Sequence, residues 1–210
     1  MASPTKTNAT KTLTLRTAGV ELLFLFLAMI VPPVVVFYDL VHLEWALDEL
    51  SFTEQVQQAF LMISCVLFAL GARRHADKRG YLWMVAIFLF ILVIREHDFL
   101  FDMIDHGFWK YPALVTLIIG IFVVRAHKDT VRAPFLAHFD SRGFAYAVTG
   151  LFVLIFFSRL FGSSAVLRDA LGDLYAAPIK TMFQEGIELL GYSIMLLGSV
   201  VSFRTGYQSR

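Results

Sequence analysis

The chain has 210 residues, of which 58% are hydrophobic and 15% aromatic, with a mean hydropathy of +0.68 and a formal net charge of +1. That composition is the composition of a polytopic membrane protein and excludes an ordinary soluble domain. The near-neutral charge removes any bulk electrostatic case for nucleic acid as a partner, and the one cysteine, Cys65, sits in an apolar segment where it reads as a small buried hydrophobe.

Taken in chain order, apolar runs predict an all-α bundle of six transmembrane helices, at about 20–40, 54–72, 81–102, 108–125, 143–161 and 182–203. Residues 1–19 hold Lys6, Lys11 and Arg16 and no acid, and are expected as a cytoplasmic tail ahead of a retained first helix. Residues 20–203 then form one transmembrane domain, and 204–210 a second short tail. Pro32-Pro33 in the first span removes two helical donors, which predicts a tolerated kink. Ser51-x-x-Glu54 and Thr181-x-x-Gln184 match a capping box at the starts of the second and sixth spans. Gly191 and Gly198 in the last span are placed for close helix contact.

Basic residues set the orientation. The tail, the 71–80 loop, the 125–142 loop and the C-terminal tail carry 3, 4, 4 and 2 Lys/Arg, against 0, 2 and 3 in the other connections. Both termini are therefore expected in the cytoplasm, in a multi-pass inner-membrane protein. Glu21 is expected to face cytoplasmic water, and His42, His75, His127 and His138 to be loop or interfacial residues. The acids run the other way. Asp39, Glu44, Asp48, Glu49, Glu54, Glu96, Asp98, Asp102, Asp105, Asp169 and Asp173 fall on the outer side, with Glu185 and Glu188 at the outer end of the last span.

Two spans are short of apolar residues at that same outer end. Tyr81–Ile94 and Leu189–Phe203 each cross a core of about 30 Å only by carrying ionisable groups into it. If the third helix runs on to residue 102, Arg95, Asp98, Asp102 and Asp105 share one face, with His106 extending it, while Glu96 and His97 point elsewhere. In the sixth, Thr181, Glu185, Glu188 and Tyr192 share a face, and Glu54, Gln57, Gln58 and Ser64 make a weaker stripe in the second. The sequence expectation is an outward-facing acidic site. Asp98, Asp102, Glu185 and Glu188 are its core, Arg95 orients them, and Glu54, Gln58, Tyr192 and His97 form the rim.

Four carboxylates against one guanidinium leave excess negative charge in low dielectric, which calls for a cation or held protons. A divalent metal ion is the expected cofactor, with Asp102, His106, Glu185 and Glu188 as ligands. The expected function is binding of a cation or polar head group, with metal-dependent hydrolysis or group transfer on an outer-leaflet substrate as its enzymatic form. Proton- or cation-coupled transport, and a non-catalytic subunit that meets another membrane protein, are the alternatives. No HExxH, GxSxG or P-loop pattern occurs.

Overall fold

The computed structural model describes residues 15–42 and 51–208. The expected tail residues 1–14, the outer acids Glu44, Asp48 and Glu49, and the last two residues lie outside the described residues. Among those described, regular structure is entirely helical: α1 (Leu15–His42), α2 (Phe52–Arg74), α3 (Arg79–Glu96), α4 (Asp98–Asp102), α5 (Lys110–Ala126), α6 (Arg132–Phe139), α7 (Arg142–Phe152), α8 (Ser158–Phe161), α9 (Ser164–Leu171) and α10 (Ala177–Thr205), with short 3₁₀ turns between them. A π-helical stretch, Val153–Phe157, joins α7 to α8 in one continuous rod.

Four of these rods are long and apolar enough to cross a membrane: Leu15–Val41, Phe52–Arg74, Arg142–Phe161 and Ala177–Thr205. Each of the four has a counterpart among the six expected spans. The third expected span is corrected. Instead of running to residue 102, α3 stops at Glu96, and His97 (φ −101°, ψ 24°) leaves the helical path. The fourth corresponds to α5, 17 residues long. The helix of α1 continues through Pro32 and Pro33, so the prolines do not end it. Ser51 caps α2 as expected, its Oγ accepting from the Glu54 N–H at 3.2 Å. Thr181 is not a cap. The last helix begins earlier, at Ala177 with Pro178 in its first turn, and Thr181 Oγ1 donates to the Ala177 carbonyl.

The centre of the bundle is α10. Its middle is buried nearly all round, from Glu188 to Ser202, as expected of a helix enclosed by others. One core joins it to α2 and α3 through Leu61, Phe68, Leu82, Leu89, Tyr192 and Met195. Two smaller clusters seat α1 on it, through Ala28, Leu197 and Val201 and through Val35, Val36 and Leu189. Outside α3 lies α5, where Gly120 admits the Ile87 side chain. Cys65 is buried, with its Sγ 3.3 Å from the Ala86 carbonyl, and behaves as the small hydrophobe expected.

Against α7, α10 makes backbone-to-backbone contact. A Cβ on Gly150 would lie 2.5 Å from the Gly191 carbonyl and 2.6 Å from the Met195 nitrogen. A Cβ on Gly198 would lie 2.7 Å from the Gly143 carbonyl. Lipid supplies no hydrophobic drive between helices, so close approach through small residues is what association uses. We expect Gly198→Val or Gly150→Val to destabilise the detergent-solubilised protein by about 1–3 kcal/mol, the usual cost of overpacking. Gly186→Ala, whose Cβ would meet only Val36 Cγ2 at 3.8 Å, should be neutral. Thermal unfolding of the three variants checks the contrast.

Candidate functional site

At the Lys/Arg-poor end, side chains from α2, α3, α8 and α10 converge. Arg95 pairs with Glu96, the neighbour expected to point elsewhere. The Glu96 side chain is 7% exposed and that of Arg95 36%, so the carboxylate is inside and the guanidinium at the rim. The Tyr192 hydroxyl faces Glu96. Glu188, 8% exposed, accepts from Ser158 Oγ at 2.8 Å and from Gln184 Nε2 at 3.3 Å. Glu185 accepts at Oε2 from Gln57 Nε2 at 3.0 Å, and the same amide donates to the Glu185 backbone carbonyl at 3.1 Å.

Glu96, Glu185 and Glu188 act electrostatically on one another. Arg95 acts on Glu188, and Lys180 acts on Glu185 from the outer end. Three carboxylates thus share one guanidinium and one rim ammonium, and their remaining partners are neutral donors.

Local structure explains the placements. Ser158 is the first residue after the π-helical stretch and is buried. A π insertion shifts the helical register, and such bulges recur at functional sites; here the shift precedes the hydroxyl that meets Glu188. Glu185, Glu188 and Tyr192 follow one face of α10, as the spacing predicts. The stripe expected along the third helix is not formed, because the helix ends between Arg95 and Asp98. Asp98 opens the short α4. Asp102 closes the following turn, its Oδ1 accepting from the Gly107 N–H at 2.8 Å and its Oδ2 lying 2.9 Å from His106 Nδ1. Gly107 has φ +81°, a conformation that glycine adopts freely. The His106 side chain is 97% exposed.

The expected metal ligands Asp102, His106, Glu185 and Glu188 are therefore not gathered, and among the described residues no three His, Cys, Asp or Glu are disposed to hold a metal ion. Of the expected rim, Tyr192 belongs to the site. His97 Nδ1 lies 2.8 Å from the Val93 carbonyl and serves the end of α3. Gln58 is half-buried, and its neighbour Gln57 makes the contact with Glu185. Glu54 stands at the amino end of α2, where Ser51 accepts its backbone N–H.

Two further polar clusters hold the opposite end together, both missed by sequence reasoning. Glu21 is buried and paired with Arg142 at 2.9 Å, tying α1 to α7. Nothing in the pattern singled it out, since Asp77, Asp129 and Asp140 lie in the basic loops of the same end. His138, expected as an interfacial residue, is buried between α3 and α10. Its Nδ1 lies 2.7 Å from the Tyr81 hydroxyl and its Nε2 2.7 Å from Ser202 Oγ, which also reaches the Gly198 carbonyl at 2.7 Å. One tautomer satisfies every atom: Tyr81 donates to Nδ1, Nε2–H donates to Ser202, and Ser202 donates to Gly198. Below Tyr192 the hydroxyls of Ser64 and Ser199 also bond carbonyls one turn back in their own helices, so they offer no continuous polar path inward.

Comparison with protein-family models, with curated proteins and with solved structures returns no match.

Burial, and then the charge of Lys78, push the His138 imidazole down to about 4. The unfolded chain binds the proton first, so the His138 contribution to stability is complete above about 6.5 and is lost as pH falls towards 4. Denaturation followed between these limits should show a slope that His138→Gln flattens. At the other end, Gln57→Ala and Glu185→Gln should be non-additive by about 0.5–3 kcal/mol, as residues in contact are. Asp102→Asn and Glu188→Gln, whose partners differ, should add. A double-mutant cycle on thermal stability reads both pairs.

Proposed function

We infer that the chain is a multi-pass inner-membrane protein that takes up a proton or a small cation at Glu96, Glu185 and Glu188, on the extracytoplasmic side. The observation that carries this reading is the burial of Glu96 and Glu188, each 8% exposed, within electrostatic range of Glu185. Burying ionised carboxylates without matching charge costs several kcal/mol each, so a group of this kind recruits protons or cations. Arg95 pairs with Glu96 and is itself partly exposed. The neutral donors Ser158, Gln184 and Gln57 tolerate either protonation state of the other two.

The placement goes with a reading of six spans, two more than the four helices long and apolar enough by themselves. Although α3 and α5 have only 18 and 17 residues, at about 1.5 Å each they extend about 26–27 Å. They pack beside the long helices, and α5 turns Leu117, Ile118, Ile121 and Phe122 outward, as a lipid-facing helix does. The basic-residue count then puts both termini in the cytoplasm. The absence of a polar path beneath Tyr192 favours binding from one side over a through-channel. The expected ligands Asp102, His106, Glu185 and Glu188 are not gathered among the described residues, which favours proton or small-cation uptake over a metal-dependent hydrolase or transferase.

Two measurements test the reading. In a Cys65→Ala background, His75→Cys and Asp129→Cys should react only from the cytoplasmic side and Ile104→Cys only from outside. The reverse pattern would move the acidic site to the inner face. A hydrophobic carbodiimide reacts with a protonated carboxyl in an apolar site. It should label Glu185 or Glu188 in membranes, more as pH falls, with the adduct mapped by mass spectrometry and lost in the Glu185→Gln/Glu188→Gln double variant. Labelling confined to exposed acids such as Asp105 would refute the site.

A further inference from the structure

A second set of oxygens lies at the same end of the bundle, between α1 and α2. Asp39, Thr53 and Gln57 are each 0% exposed. One oxygen of each is buried without a hydrogen-bond partner: Asp39 Oδ1, Thr53 Oγ1 and Gln57 Oε1. Buried polar atoms are almost always satisfied, so three orphans on neighbouring residues require a cause. Capping accounts for only part of the arrangement. Asp39 Oδ2 accepts from the Thr53 N–H at 2.9 Å, which serves the amino end of α2 beside the Ser51 cap. That leaves the other oxygen of the same carboxylate buried and unaccounted for. Thr53 and Gln57 are four residues apart on one face of α2. The Gln57 amide has a fixed sense, because its nitrogen must face two acceptors, the Glu185 carbonyl and Oε2. Its oxygen therefore points away from α10.

We propose that Asp39 Oδ1, Thr53 Oγ1 and Gln57 Oε1 bind a dehydrated monovalent cation. The donor set is all oxygen, which suits a hard cation and not a transition metal. Charge selects the valence. Asp39 is the one anion among the three, and the carboxylate-bearing Glu54 next to Thr53 is engaged in an interaction of its own. Asp39 enters no ion pair with a described basic residue, and a single positive charge neutralises it. Divalent sites of the calcium type draw on more carboxylates. Gln57 joins this site to the carboxylate cluster, since one amide serves both, but the two sites use different charged residues and fail separately.

The test is thermal unfolding of the purified full-length protein in detergent, in sodium, potassium, calcium or choline chloride at matched ionic strength. Sodium or potassium should stabilise in a saturable way and choline should not. Thr53→Val keeps the backbone N–H that caps to Asp39 and removes only the hydroxyl oxygen. It should raise the half-saturating concentration at least about tenfold, a change of roughly 1.4 kcal/mol. Asp39→Asn should abolish the response, and Asp105→Asn, in an exposed turn outside both sites, should keep it. If Asp39→Asn does not fold, Thr53→Val alone decides. Equal stability in sodium, potassium and choline chloride would mean that water satisfies these oxygens and would overturn the proposal. So would an unchanged response in Thr53→Val, or stabilisation by calcium alone. Carbodiimide labelling of Glu185 or Glu188 is independent of all these outcomes and keeps the two readings distinguishable.

Discussion

The contact on which the rest of the bundle depends is the one between the backbones of α7 and α10. Gly143 and Gly150 on one helix meet Gly198 and Gly191 on the other, at separations where no side chain fits. In a bilayer this approach is driven by packing and not by exclusion of water. It also fixes both polar ends. Toward the acidic end, the continuation of α7 through Val153–Phe157 brings Ser158 to Glu188. Toward the Lys/Arg-rich end, α6, joined to α7 by a short turn, brings His138 to Ser202. Widening the helix pair would loosen both at once.

The two ends solve the problem of buried polarity in opposite ways. At the Lys/Arg-rich end the buried polar groups His138, Glu21, Lys78 and Tyr207 are closed off. His138 sits neutral between Tyr81 and Ser202, Glu21 is matched by Arg142, Lys78 donates to the Gly206 carbonyl at 2.5 Å and Tyr207 to the Leu67 carbonyl at 2.7 Å. Burial pushes the Tyr207 phenol up and the Lys78 ammonium down, and neither gains an exchangeable partner. This end behaves as a clamp. At the other end the bookkeeping of charge does not close. Glu96 has Arg95, but Glu185 and Glu188 lean on neutral donors and on distant cations. Burying ionised carboxylates without matched charge is costly, and the proposed uptake of a proton or cation rests on that imbalance.

Much of this was legible in the sequence, and the failures have physical reasons. Composition and apolar runs gave the all-helical bundle and the four helices long and apolar enough to cross a membrane, and helical spacing put Glu185, Glu188 and Tyr192 on one face. The glycines at 191 and 198 marked the close contact. The reading failed where a helix ended. Extending the third helix to residue 102 aligned Arg95 with Asp98 and Asp102, whereas the break at His97 sends Asp102 to cap a turn and leaves Arg95 to its neighbour Glu96. Periodicity carries no information about where a polar helix end stops. Gln57 and Gln58 are adjacent, and only the rotation of α2 decides which one faces Glu185. Ser158 depends on a π insertion that no residue announces. His138 was misplaced because a short connecting helix folds back into the core, a tertiary event outside the reach of local pattern.

The central claim is that Glu185 and Glu188 exchange a proton within the bundle. Infrared difference spectroscopy of the reconstituted protein, stepped in pH, tests it most directly through the carbonyl stretch of a protonated carboxyl in an apolar setting. The account predicts that this band grows as pH falls and disappears in the Glu185→Gln/Glu188→Gln double variant. A spectrum without the band at any pH, or an identical band in the double variant, would contradict it.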